Sequence, residues 1–370
     1  MSHRRGEVGR IIPTMNYKYF LCFLGIILSL PILLLIAFAF TVPISISGIG
    51  YLLAYSLVIS GLIIAPWTNK YHLALIIMGV LGVVLIAGTR IVLTRNSSTT
   101  NLRMIALPEG KETRWINYIV DEQDSVIFGE AIFHRIGGDS QNEHQGITSA
   151  LSSAYSEMNA TEGIFPSPFI STYLNLQQPE NFDTIVIEPK VNLRPQTAVI
   201  FLHGFMGNVT AQCWEIAQAV DKFGAVTVCP STGWRGDWWL LQGVAIIQAT
   251  FTYLREHGIQ RFYLGGFSNG GFGISRLIPD LGNEDGLVGL FFIDGVYNGS
   301  DILAAGLPVL IIQGTQDERM PATLARQTSE TIGTLGTYME FEGDHFLIMK
   351  HPELVKNVIA RWLQDHESNK

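Results

Sequence analysis

Fifty-one consecutive residues, Tyr19 to Asn69, contain no Asp, Glu, Lys or Arg. No other feature restricts the possible folds so strongly. A helix needs about 20 apolar residues to cross hydrocarbon, so the stretch is too long for one crossing. Thr41-Val-Pro-Ile-Ser-Ile-Ser-Gly48 interrupts it and divides it into predicted spans near 19–40 and 44–65. A polar turn, Trp67-Thr-Asn-Lys70, precedes a third apolar run over 71–93. Pro31 is tolerable inside a membrane helix, where neighbours re-satisfy freed backbone groups. Tyr17, Trp67 and Tyr71 fall where interfacial aromatics belong. A cleaved signal peptide is the alternative for the first run, but its apolar part is too long and no small-residue cleavage pattern closes it.

Charge is divided unevenly. Residues 1–96 hold seven Lys/Arg and one acid, Glu7, whereas the remainder holds 17 basic and 31 acidic residues. Arg4, Arg5, Arg10 and Lys18 precede the first run, and positive residues favour the cytoplasmic side. With three crossings, everything beyond residue 95 then faces outward; Arg90 and Arg95 at that end pull the other way. The acidic remainder argues against a nucleic-acid partner, which needs a basic face.

Three cysteines occur. Cys213 and Cys229 would pair if their part of the chain is exported; separate buried thiols are the simpler expectation. No CxxC or Cys/His spacing points to a metal. Sequons begin at Asn96, Asn159, Asn208 and Asn298.

Residues 96–101 form a polar linker, so the expected domains are an anchor over 1–96, an extension over 97–190 and a third domain over 191–370. The extension is weakly patterned. Apolar residues at 126, 127, 131, 132 and 136 have helical spacing, with Asp124 as the expected cap and Gly137-Gly138 as the stop. Leu151, Ala154, Tyr155 and Met158 share the face of a second helix. Thr184–Glu188 reads as a strand. His134 and His144 are read as structural or solvated.

From Thr197 onward, apolar strands alternate with helices. Strands are expected at 197–202, 225–229, 261–267, 287–293, 307–312 and 337–341, with helices at 209–222, 238–257, from 321, and 352–365. Continuous apolar strands separated by helices predict a parallel sheet covered on both faces, an α/β fold. Sites in such sheets lie at the carboxyl ends of strands.

Four of those ends carry chemistry. Gly266-x-Ser268-x-Gly270 lies between a strand and a helix, the spacing of a nucleophile elbow. A serine nucleophile needs a base, and the base needs an acid to orient it. Asp317 follows one strand and His345 the next. Asp294, also after a strand, is an alternative acid; Asp344 is expected to point away. His257 and His351 are not at strand ends. His203-Gly-Phe-Met-Gly207 follows the first strand, and His203 is expected to organise that loop. The backbone N–H groups of Phe205 and Asn269 are the candidate oxyanion donors. The mechanism requires no metal or organic cofactor.

Residues 197–365 resemble an α/β-hydrolase domain through His203–Gly207, Gly266–Gly271, Gly314-Thr-Gln-Asp317 and Gly343-Asp-His345. The elbow is similar to those of esterases and dienelactone-hydrolase-like members. The resemblance implies a serine hydrolase, and a serine in the elbow argues against the haloalkane-cleaving members. It leaves peptidase and acyltransferase activities open beside ester cleavage, as it does a non-catalytic ligand-binding module on a membrane scaffold. Only about a dozen residues, Asp294–Leu307, stand where many relatives insert a cap. Residues 102–180 or the loop 231–239 are therefore expected to cover the site. Trp234, Trp238 and Met206 are the candidate substrate-binding residues; Trp234, Trp238 and Trp239 would make an apolar rim for an acyl or aromatic group, although Trp239 serves equally well as helix packing. A site tethered near a bilayer would meet lipidic or small-molecule esters.

Overall fold

The structure, a computed structural model, describes residues 16–96, 101–138, 140–190, 195–281 and 284–367. Arg4, Arg5, Glu7 and Arg10, and linker residues 97–100, lie outside the described residues. The chain divides into two compact units between Ile86 and Ala87.

The first unit is helical. Helix α1 spans Tyr17–Ala39, α2 Ile46–Ile64 and α3 Tyr71–Asn96, with the last turns of α3 belonging to the second unit. Three helices, Tyr17–Ala39, Ile46–Trp67 and Tyr71–Arg95, are long and apolar enough to cross a membrane. Many of their exposed residues are apolar, among them Leu30, Leu33, Leu81 and Leu85. The break before α2 is a cap: Ser45 Oγ accepts from Gly48 N–H at 3.0 Å, satisfying an orphan donor of the first turn. Lys18 Nζ donates to Thr68 O at 3.0 Å, so the start of α1 and the α2–α3 turn lie at the same end, as an antiparallel hairpin demands.

The second unit is a mixed sheet with helices packed on it. Its elements run β1 Leu102–Leu107, α4 Ile116–Ile119, α5 Glu122–Arg135, α6 Gln141–His144, α7 Ile147–Glu162, α8 Phe169–Tyr173, β2 Phe182–Ile187 and β3 Thr197–Leu202. They continue with α9 Thr210–Asp221, β4 Val226–Pro230, α10 Leu241–Glu256, β5 Arg261–Phe267, α11 Asn269–Leu281, β6 Leu287–Ile293, α12 Gly299–Ala304 and β7 Val309–Gly314. Helix α13 Ala322–Ile332, β8 Gly336–Phe341, α14 Leu347–Lys350 and α15 Pro352–Glu367 complete it.

The strand order is β1-β2-β4-β3-β5-β6-β7-β8. Strands β1 and β2 pair antiparallel, β2 pairs antiparallel with β4, and the rest are parallel. Strands β3 and β7 are buried at every residue. Phe262, Leu264, Leu290, Phe292 and Ile311 form the centre of one core. Two strands come from the 97–190 extension. Strand β1 escaped sequence reading because it is an edge strand with a charged outward residue: Arg103 pairs with Glu188 at 2.8 Å.

Two expectations are corrected. Helix α5 begins at Glu122 with Asp121 at its N-cap, not at Asp124. Glu122 opens the first turn, and its buried carboxylate accepts from Tyr155 Oη at 2.7 Å, Thr210 N–H at 2.7 Å and the Ser167 hydroxyl. Burial raises the Glu122 pKa despite those donors. Cys213 and Cys229 form a disulfide rather than two separate thiols, their Cα atoms 6.2 Å apart. Packing of α9 on β4 brings them together, and no sequence spacing reveals that contact. Asn208 is buried and donates to Cys229 O at 2.9 Å and Ser231 Oγ at 3.0 Å, so this sequon is internal to the fold.

Candidate active site

Strand β5 ends at Phe267 and α11 begins at Asn269, leaving Ser268 alone on the turn with φ 52°. This left-handed conformation costs a non-glycine residue roughly 1–2 kcal/mol. A Cβ on Gly266 would come within 2.4 Å of Gly270 C, and one on Gly270 within 2.0 Å of Leu202 O. Only glycine fits either flank, which is the physical content of the Gly-x-Ser-x-Gly spacing.

The strand ends bring three side chains together. His345 Nε2 lies 2.8 Å from Ser268 Oγ, and His345 Nδ1 lies 2.8 Å from Asp317 Oδ2. The carboxylate assigns the proton to Nδ1, which leaves the Nε2 lone pair facing the serine hydroxyl. Asp317 Oδ1 accepts from Arg319 N–H at 2.9 Å and Met320 N–H at 2.8 Å, and Oδ2 also accepts from Gln313 Nε2 at 3.1 Å. All three groups are buried, Ser268 being 8% exposed.

The second unit has the α/β-hydrolase fold. The sheet order and the antiparallel second strand define it, with Ser268, Asp317 and His345 after β5, β7 and β8. No protein-family model matches the chain, and no curated protein does. Among solved structures, the chain is similar to Est1E from Butyrivibrio proteoclasticus, with 16% identity over 51% of this chain and 95% of that one (TM-score 0.44). It is also similar to an alpha-beta serine hydrolase homologue from Coxiella burnetii, with 20% identity over 49% and 91% (TM-score 0.40). A third is a thermophilic esterase from Thermogutta terrifontis, with 13% identity over 51% and 95% (TM-score 0.41).

The remaining strand-end residues of this α/β-hydrolase fold take distinct places. Asp294 is fully buried, and its Oδ1 accepts from Gly314 N–H at 2.8 Å; it does not bond His345. Burial, and then the charge of Asp317, push its pKa well above the ordinary value. Asp344 turns to Lys350 Nζ at 2.5 Å. His203 bonds Gly204 O through Nδ1 at 2.8 Å and accepts from Thr232 N–H at Nε2, and burial lowers its pKa to about 4. It is a neutral loop organiser.

The loop carrying Phe205 abuts the serine, since a Cβ on Gly204 would lie 3.0 Å from Ser268 Cβ. Asn269 Nδ2 donates to Arg235 O at 2.8 Å, tying the elbow to the loop that holds Trp234. Trp234 is half-buried, its ring 5.0 Å from Phe205 and 5.9 Å from Tyr173. Met206 is half-buried with φ 79°. Trp238 is corrected: its indole is fully buried in the core and Nε1 donates to His203 O at 2.9 Å, so it supports the loop and forms no rim. Trp239 packs edge-on against Phe272 at 5.2 Å.

Sequence reading missed the residues that the 102–180 segment brings here. Phe133 of α5 lies 6.0 Å from Phe205. Glu143 of α6 bonds Arg319 at 2.8 and 3.0 Å. Ser140-x-x-Glu143 is a legible capping box, yet nothing in it names a partner 176 residues away.

Proposed function

We propose that the protein is a membrane-anchored serine hydrolase that cleaves carboxylic esters through an acyl-enzyme. The observation that carries this reading is the pair of 2.8 Å contacts linking Ser268, His345 and Asp317. Ser268 Oγ attacks the acyl carbon while His345 Nε2 takes its proton. Asp317 holds the ring and stabilises the imidazolium. The Phe205 and Asn269 N–H groups receive the oxyanion. When the C–O bond to the alcohol breaks, Nε2 returns the proton to the departing oxygen. Water, deprotonated by the same nitrogen, then releases the acid and regenerates the serine.

Phe205, Trp234, Met206 and Phe133 present apolar surface for an acyl or aromatic group. The three apolar helices support anchoring in a bilayer and access to lipidic esters. The basic residues before α1 and the Cys213–Cys229 disulfide, a bond that persists in oxidising compartments, support an extracytoplasmic hydrolase unit.

The test is labelling of the full-length protein in detergent with a fluorophosphonate, followed by a screen of ester, peptide and acyl-acceptor substrates. Labelling of the wild type, none of Ser268→Ala, and turnover of esters support the reading. A folded wild type that stays unlabelled refutes it.

A further inference from the structure

We propose that Glu143, carried by the four-residue helix α6, is a positioning residue for the Asp317–His345 pair and acts through Arg319. This inference rests on the hydrolase reading above.

Two separate attachments lead from Glu143 to the two loops. Its carboxylate, in a residue only 3% exposed, grips Arg319 in a fork, Nε to Oε1 at 2.8 Å and Nη2 to Oε2 at 3.0 Å. Such paired charge-assisted bonds fix orientation as well as distance. The backbone N–H of that same Arg319 donates to Asp317 Oδ1 at 2.9 Å. Glu143 therefore holds the loop that holds the acid. Its main-chain oxygen makes the other attachment. It accepts from Lys350 Nζ at 2.7 Å, and that ammonium also bonds Asp344 Oδ2, one residue before His345. One short helix thus pins the acid loop and the base loop to each other.

The Arg319 guanidinium also lies over two rings, 5.6 Å from the Phe133 centroid and 5.3 Å from that of Phe346. Phe346 in turn packs edge-on against His345 at 5.6 Å. Glu143 is itself fixed from behind, because Ser140 and Glu143 close a capping box. Burial works against its charge, yet the Arg319 bond, the Ser140 N–H and the charge of His345 hold the carboxyl below its ordinary value.

The titratable and charged groups around His345 come from several elements. Asp317 and Arg319 follow β7, Asp294 follows β6, Asp344 precedes His345, Lys350 ends α14, and Glu143 lies on α6. Asp344 and Lys350 neutralise each other, as do Glu143 and Arg319. Removing one member of the second pair leaves the other uncompensated beside the base.

That asymmetry gives a readout that lost packing alone does not move. Glu143→Gln leaves a lone cation, disfavours the imidazolium and shifts the acid limb of kcat/KM to lower pH by roughly half a unit. Arg319→Gln leaves a lone anion and shifts the limb to higher pH. The double variant brings the limb back towards wild type while kcat stays low, the sign of a coupled pair. For Glu143→Gln, kcat falls about tenfold or more with little change in KM, and Glu143→Asp recovers part of it.

The experiment measures pH profiles of full-length variants on a short-chain nitrophenyl ester, with fluorophosphonate labelling of wild type alongside. If wild type does not label, the hydrolase reading falls and takes this inference with it. If wild type labels and turns over but neither limb moves, the inference alone is overturned, whatever happens to kcat. Should Glu143→Gln fail to fold, the limb of Arg319→Gln decides by itself.

Discussion

Ser268 Oγ lies 2.8 Å from His345 Nε2, although 77 residues separate them in the chain. The contact exists because β5 and β8 point the same way in one sheet, so the residues that follow them emerge at the same edge. On the proposed mechanism, replacing either group removes the nucleophile or its base. Ser268→Ala and His345→Ala are each expected to lower ester kcat by at least about a thousandfold with the fold unchanged. Turnover counts on purified variants, beside their melting curves, check this.

Asp317→Asn is expected to keep the geometry and lose most of the rate. The amide can donate to Nδ1 and stabilise the wrong tautomer, turning N–H rather than a lone pair towards Ser268. Activity should recover partly at high pH, where an added hydroxide replaces the base. A flat, equally weak profile would argue that Asp317 has only a packing role.

Phe133→Ala should alter selectivity more than rate. The ring fills space between Phe205 and Arg319, and its removal opens room on the acyl side. The ratio of kcat/KM for long over short acyl chains is expected to rise about tenfold, since each added methylene that gains burial contributes about 0.8 kcal/mol. Trp234→Ala should move the same ratio, and a series of nitrophenyl esters measures both.

Asp294 makes stability depend on pH. Its folded pKa is raised well above the ordinary 3.8, so the neutral form is favoured on folding. That contribution is complete below about pH 4 and is lost as pH rises through the folded value. Asp294→Asn keeps an acceptor for Gly314 N–H without the ionisable proton. Its stability relative to wild type should therefore increase with pH above 4, as read from urea midpoints across the range.

The disulfide closes a loop with a sequence separation of 16. Loop-closure entropy for that length corresponds to about 3 kcal/mol. Cys213→Ala/Cys229→Ala should therefore unfold at lower urea, and reductant should lower the wild type's midpoint but not the variant's.

Much of the site was legible because its chemistry is local to strand ends. Ser268 is marked by its flanking glycines, and Asp317 and His345 by the apolar runs before them. Asp317 and Asp294 both stand between Ser268 and His345 in the chain, so order does not separate them; the 2.8 Å bond from His345 Nδ1 goes to Asp317. Trp238 departs from its expected place because sequence shows a tryptophan in a loop but not which way the indole turns. The structure sends it under His203 into the core.

Residue pattern accounts for the three apolar helices, the alternating sheet and the placing of Ser268, Asp317 and His345 after strands. Each follows from periodicity or from a residue's immediate neighbours, which no distant part of the chain can alter. Only packing sets the pairing of Cys213 with Cys229, strand β1 and the place of β2 between β1 and β4, and the reach of Glu143 to Arg319. Those contacts depend on how helices and strands far apart in the chain pack, and short-range pattern carries no record of such packing.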